Sequence, residues 1–146
     1  MTQLPFLDRI GKILIMRRLT RSARQRDWSG VSKDAHSWLP ARTSELASKY
    51  GFSYNRVFIK HNRSNWGSCS SKRNINLNMT LMLLPEYLRD YVILHELCHL
   101  QVFNHGADFH ILLDRLCMEH IGLSEKNLRK EIRGYHAFSG EKILQK

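Results

Sequence analysis

The sequence lacks a long apolar run, a paired set of cysteines and an internal repeat, and each absence excludes a class of protein. The longest apolar run near the start covers residues 13–16, whereas a helix that spans a bilayer needs about 20 residues. Arg17 and Arg18 follow it, in place of the cleavage site of a secretory signal. The 3 cysteines are an odd number without the paired spacing of a disulfide framework. We therefore expect a cytoplasmic protein with reduced thiols and no membrane partner.

Positive charge is concentrated in the first half of the chain. The 146 residues carry a formal net charge of +10. Residues 1–75 hold 15 Lys and Arg against 4 Asp and Glu, and a basic run extends from Arg17 to Arg26. Such asymmetry favours an anionic partner, such as nucleic acid or a nucleotide. The alternative is that the basic residues form a solvated surface without a partner.

The spacing of apolar residues predicts one α+β domain. Apolar residues recur at helical spacing in five segments, and β-branched or alternating residues form two strands. The expected elements are a helix over 6–19, a helix from Asp34 to Gly51, strands over 56–60 and 74–79, and helices over 85–103, 107–121 and 124–133. Residues 61–73 are rich in Ser, Asn and Gly and predict a loop.

Residues 95–99 read His-Glu-Leu-Cys-His, the HExxH pattern. Two histidines four apart on a helix project from one face and can share a metal ion. Glu96 is rotated about 100° from His95, so it can reach a water molecule at the metal without competing as a ligand. The pattern predicts a metal site with a general base beside it.

A third ligand is needed for a catalytic zinc site, and the sequence offers three candidates. His105 follows the predicted helix, and Asn104 and Gly106 favour a chain reversal that would return it to the metal. Glu119 and His110, on the next helix, are the alternatives. We favour His105. A closed structural zinc site would normally need a fourth ligand, often a cysteine.

These residues predict a zinc-dependent hydrolase with one zinc ion per chain. Zinc lowers the pKa of bound water toward about 7, and Glu96 would accept the proton and return it to a leaving amine. The strand over 74–79 could offer an edge to an extended peptide. Two alternatives stay open: a nucleoside triphosphate pyrophosphohydrolase using the same site, and a basic nucleic-acid-binding module with structural zinc. Three histidines would also accept Mn, Co or Ni.

The segment Arg63-Ser64-Asn65-Trp66-Gly67-Ser68-Cys69-Ser70 precedes the second strand and has two interpretations. As a binding loop, it would contact substrate, and Gly67 would let a backbone approach closely. The substrate-binding candidates are Arg63, Trp66, Ser68 and Asn76. As a tight turn, it would use Trp66 as an anchor on the core and its hydroxyls to satisfy backbone groups.

Together these motifs resemble the YgjP-like metallopeptidase domain, which is similar to the SprT and Spartan proteases. The resemblance rests on the segment 63–70, the strand 74–78, the HExxH motif and Asn104-His105-Gly106 with Phe109. It implies that His95, His99 and His105 bind the metal, that Glu96 is the catalytic base, and that the fold is a SprT-like zincin domain: the HExxH helix packed with further helices against a small, mostly antiparallel sheet.

The resemblance also predicts how the chain divides into segments and a role for bound nucleic acid. We expect a basic extension over residues 1–33, the metallopeptidase domain over 34–136 and a tail over 137–146. Nucleic acid bound to the basic half would be a platform for protein substrates, as in Spartan-type enzymes. Three features depart from the family: the short N-terminal region, Asn65 where a basic residue is expected, and His110 where Trp is usual.

Overall fold

The computed structural model describes residues 28–62 and 65–135, and it has the predicted α+β class. In chain order the elements are α1 (Trp28–Tyr50), β1 (Val57–Lys60), β2 (Gly67–Cys69), β3 (Ile75–Asn78), a 3-10 helix (Met79–Leu83), α2 (Glu86–Cys98), α3 (Ala107–His120) and α4 (Glu125–Arg133). The predicted helix over 6–19, the Arg17–Arg26 run, Arg63 and the tail lie outside the described residues. No helix in the described part of the chain is long and apolar enough to cross a membrane.

The sheet has three strands in the order β1-β3-β2. β1 pairs with β3 in parallel, and β2 pairs with β3 in antiparallel, so the sheet is mixed and not mostly antiparallel. Ile75 and Leu77 of β3 are fully buried and Asn76 between them is partly exposed. The predicted alternation therefore holds over residues 75–77 but not at Asn78, which is also buried. The prediction of an uninterrupted loop over 61–73 is wrong, because Gly67–Cys69 pairs with β3.

Helix α1 begins earlier than the sequence predicts and ends where it predicts. It is already helical at Trp28, the first described residue, and not only from Asp34. The Trp28 ring lies 4.8 Å from the ring of His61. Gly51 follows the last helical residue with a φ of 78°, a left-handed conformation that glycine adopts without strain. The predicted division at residues 33 and 34 falls inside α1, and the division itself stays a prediction.

Helix α2 ends at Cys98, five residues before the predicted end. The side chain of Phe103 is consequently 63% exposed instead of facing the core. The predicted reversal at Asn104 and Gly106 is present, but neither residue is left-handed. The Asn104 Oδ1 accepts a hydrogen bond of 2.9 Å from the Gly106 backbone N–H, and this side-chain turn redirects the chain.

A buried carboxylate joins the three longest helices. Asp90 of α2 accepts two hydrogen bonds from Arg42 of α1, at 2.9 and 2.7 Å. The Nε2 of His120, at the end of α3, lies 2.9 Å from the same carboxylate. These contacts fix the orientation of α2 between its neighbours. The last helix, α4, is capped by Ser124, whose hydroxyl accepts a hydrogen bond from the Asn127 backbone N–H at 3.2 Å.

Candidate metal centre

The last turns of α2 and the loop before α3 bring three histidines together. His95 and His99 lie one turn apart at the end of α2, and His105 returns to them after the reversal at Asn104. One ring nitrogen from each of the three lies within 4.8 Å of the others. The structure therefore assembles the three residues that the sequence predicts as a metal site.

The hydrogen bonds of these histidines leave their Nε2 atoms for a ligand. The Nδ1 of His99 lies 3.0 Å from the backbone carbonyl of Val102, and the Nδ1 of His95 lies 3.2 Å from a carboxylate oxygen of Glu96. Both contacts assign the proton to Nδ1 and the lone pair to Nε2. The Nε2 of His105 is buried and has no hydrogen-bond partner in the described part of the chain. Buried nitrogens rarely lack a partner, so the three residues fit a bound metal ion.

Burial favours the metal-binding, neutral form of two of these imidazoles, His99 and His105. Desolvation lowers the pKa of His99 below its usual value. Desolvation, followed by the neighbouring His99 and His95, lowers the pKa of His105 to about 4. An imidazole must be neutral to donate its lone pair, so a lowered pKa favours the metal-binding form of His99 and His105.

Phe109 of α3 forms the apolar floor of the cluster and is fully buried. Its ring stacks on His99 at 4.4 Å between centroids and 17° between planes. It meets His95 and His105 edge-on, at 5.0 and 4.8 Å. One side chain thus packs against all three imidazoles and restricts their rotation.

Glu96 lies between α2 and the sheet, with only 2% of its surface exposed. Gly67, the first residue of β2, packs against its side chain. The sequence-based expectation that β3 offers an edge to substrate is wrong, because β3 is the central strand. The edge beside Glu96 belongs to β2.

The substrate-binding candidates occupy three different environments. The Trp66 side chain is 1% exposed, which favours the interpretation as a core anchor. Ser68 and Asn76 are cross-strand neighbours, and the Asn76 amide donates to the Ser68 hydroxyl at 3.1 Å. Because side chains alternate along a strand, both lie on the sheet face opposite to the one where Gly67 meets Glu96. Their role in substrate binding stays a prediction.

The hydroxyl of Ser70 satisfies a backbone group, as the turn interpretation predicts. It accepts a hydrogen bond of 3.2 Å from the Asn74 backbone N–H. The backbone of Ser70 also pairs with Asn74 and with Arg73, which closes the turn between β2 and β3.

The alternative third ligands lie elsewhere. Glu119 is exposed near the end of α3, and the Nδ1 of His110 lies 3.5 Å from the carboxylate of Glu125. Neither belongs to the histidine cluster. Cys98 is fully buried, and burial raises the pKa of its thiol to about 12, as expected for a core residue. In the described residues no cysteine joins the cluster to complete a four-ligand structural site.

The described residues carry little of the excess positive charge. They include 13 Lys and Arg against 10 Asp and Glu. Most of the surplus therefore lies outside them, in the region of the Arg17–Arg26 run. Binding of nucleic acid by the basic half stays a prediction.

Two contacts that position the site residues could not be predicted from the sequence. The carbonyl of Val102 orients His99, and any residue could supply a backbone carbonyl. The contact between Gly67 and Glu96 joins residues 29 positions apart. The glycine itself indicates a close backbone approach, but not which residue approaches.

Comparison with known proteins agrees with this geometry. A family model described as YgjP-like, metallopeptidase domain, matches residues 10–131, which include the whole histidine cluster, Glu96 and the sheet. No curated protein and no solved structure matches the chain. The match covers most of the 146 residues. The chain therefore belongs to the YgjP-like family of metallopeptidase domains.

Proposed function

We propose that this protein is a zinc-dependent peptidase in which His95, His99 and His105 hold the metal and Glu96 is the general base. One observation carries the proposal: a buried carboxylate and three converging imidazoles come from one helix end and the loop that follows it. A catalytic zinc site has three protein ligands and an open position, and this cluster offers three.

When bound, zinc supplies Lewis acidity that lowers the pKa of water toward about 7 and polarises a carbonyl. The histidines contribute orientation, because the Val102 carbonyl fixes the ring of His99 and Phe109 supports all three rings from below. Glu96 accepts the proton of the attacking water and returns it to the leaving amine. Its carboxylate is beside His95, on the side of the cluster that faces β2.

The free edge of β2 supports an extended peptide as substrate. The Asn78 N–H donates to the Trp66 carbonyl, and the Ser70 N–H donates to the Asn74 carbonyl. In an antiparallel pair the residues between such bonds direct their backbone groups outward, so Gly67 and Cys69 point theirs away from β3. No described strand pairs with that side. A substrate strand added there would lie beside Glu96.

The experiment compares substrates and variants of the full-length, zinc-loaded protein. Fluorescently labelled casein and a nucleoside triphosphate are assayed in parallel. We expect casein to be cleaved, and Glu96→Gln to lower the rate by about 10²–10⁴-fold while one zinc per chain is retained. Glu119→Gln, which changes an exposed carboxylate of α3, is the matched control and keeps its activity.

Four results would contradict the proposal. Hydrolysis of the triphosphate alone would favour the pyrophosphohydrolase, and hydrolysis of neither substrate would favour the binding module. Activity retained by Glu96→Gln would remove the assigned base, and loss of zinc in that variant would make Glu96 a ligand.

A further inference from the structure

Gly67 lies in a slot that has no room for a side chain. A Cβ atom placed on Gly67 would lie 3.0 Å from the backbone oxygen of Asn76, 3.1 Å from the Cγ of Glu96 and 3.4 Å from its Oε1. Packed carbon atoms normally lie about 3.5–4.0 Å apart. Gly67 is not among the glycines with positive φ, so space rather than backbone conformation requires a glycine here.

The atoms around this slot have little freedom to move. Asn76 belongs to the central strand, and its backbone is paired on both sides. Glu96 is almost fully buried, and its Oε1 also contacts the Nδ1 of His95 at 3.2 Å. A side chain at position 67 would therefore displace either β2 or the carboxylate of Glu96.

We propose that Gly67 is a positioning residue for Glu96: its bare backbone sets where the catalytic carboxylate lies between β2 and His95. The inference rests on the function proposed above, in which Glu96 is the base. Since proton transfer requires hydrogen-bond distance to the reacting water, a shift of a few tenths of an ångström at Glu96 acts on the chemical step. The three atoms nearest to a Cβ on Gly67 belong to Asn76 and Glu96 and none to a histidine, so the metal should stay bound.

The kinetic test uses Gly67→Ala in the full-length, zinc-loaded protein with labelled casein as substrate. We expect kcat per zinc-bound chain to fall by about 10–100-fold, KM to change less than about twofold, and one zinc per chain to be retained. Gly30→Ala is the matched control, because a methyl group on Gly30 would meet no atom within 4 Å and this variant should keep the wild-type kcat. A purely structural role would reduce the folded fraction but not kcat per zinc-bound chain. A Gly67→Ala protein that keeps its kcat overturns the inference.

A second test measures the contact without any substrate. Glu96→Ala removes the Cγ and Oε1 atoms that a methyl group on residue 67 would meet. We expect Gly67→Ala to lower the thermal midpoint of the wild type, and to lower that of Glu96→Ala by less than half as much. Equal losses in both backgrounds would overturn the inference. If Gly67→Ala alone does not fold, the variant that carries both Gly67→Ala and Glu96→Ala decides. A cooperative thermal unfolding transition in it supports the contact between positions 67 and 96, and an unfolded double variant refutes that contact.

The two tests also separate this inference from the proposed function. Coupling between positions 67 and 96 in a protein that cleaves neither casein nor triphosphate would refute the peptidase and leave the packing contact established. Cleavage of casein with no loss in Gly67→Ala would refute only the role of Gly67.

Discussion

Replacing His105 with alanine should abolish stoichiometric zinc binding without unfolding the domain. The His105 ring is partly exposed and approaches the rings of His99 and Phe109 edge-on, at 4.5 and 4.8 Å. Loss of such a contact costs about 0.5–1.5 kcal/mol, against a total stability of about 5–15 kcal/mol. The variant should therefore be folded, and its zinc content can be interpreted.

The effect on zinc binding follows from the place of His105 in the cluster. Loss of a residue that only orients a ligand lowers metal affinity by about 10–100-fold, so loss of one of three ligands should exceed about 100-fold. At a free zinc concentration of about 100 times the wild-type Kd, zinc stabilises the wild type by about 2.7 kcal/mol. At the same free zinc concentration, a site that binds zinc a hundredfold more weakly is stabilised by only about 0.4 kcal/mol. For a chain of this size the difference is about 5–9 °C in Tm.

The assay is a thermal denaturation series with and without zinc, together with the zinc content of the purified proteins. Glu119→Ala and His110→Ala are the controls, because these residues are the other candidates for the third ligand and lie outside the histidine cluster. They should keep one zinc per chain and the full thermal shift. A His105→Ala protein with stoichiometric zinc and the wild-type shift would refute the assignment, and loss of zinc in either control would identify the true ligand.

Three further predictions follow from the contacts described above. Asp90→Ala should lower the free energy of unfolding in urea by about 2–3 kcal/mol, because it leaves Arg42 without its bidentate partner. This value is smaller than for a fully buried ion pair, since Arg42 is partly exposed. Glu45→Ala, at the exposed partner of Arg42, should cost less than about 1 kcal/mol, and equal losses would contradict this ranking. Phe109→Ala should cost about 3–5 kcal/mol in the same measurement, since the ring is fully buried, and a loss below about 1 kcal/mol would show that the floor is not packed as described. If Arg17–Arg26 binds nucleic acid, the affinity measured by fluorescence anisotropy should fall steeply between about 50 and 200 mM salt, whereas a flat response would leave a solvated surface.

The parts of the site that the sequence predicts are those encoded by short-range spacing. His95 and His99 are four residues apart on a helix, and this spacing alone places them on one face. His105 follows within six residues, and the turn at Asn104 returns it to the cluster. The predicted helices that fall within the described residues are likewise local features, and the structure has a helix in each place, although the bounds of α1 and α2 differ.

The parts that the sequence does not predict depend on tertiary contacts. Strand β2 contains Gly, Ser and Cys, which have no strong strand preference, and it forms because β3 offers it a partner. Helix α2 ends at Cys98, so Phe103 is exposed to solvent, although the helical spacing of apolar residues continues as far as Phe103. The contact of Gly67 with Glu96 requires knowing that β2 runs beside α2, which no periodicity shows.

All three histidines come from one stretch of 11 residues, His95 to His105, and this has a consequence for how the site assembles. Closing so short a loop costs little chain entropy, and each doubling of loop length would add only about 0.6 kcal/mol. An ion held there would join the end of α2 to the start of α3 and would not cross-link distant parts of the chain. Its removal should therefore loosen one corner, visible as faster amide hydrogen exchange from residue 99 to residue 107, while the sheet and α1 keep their protection.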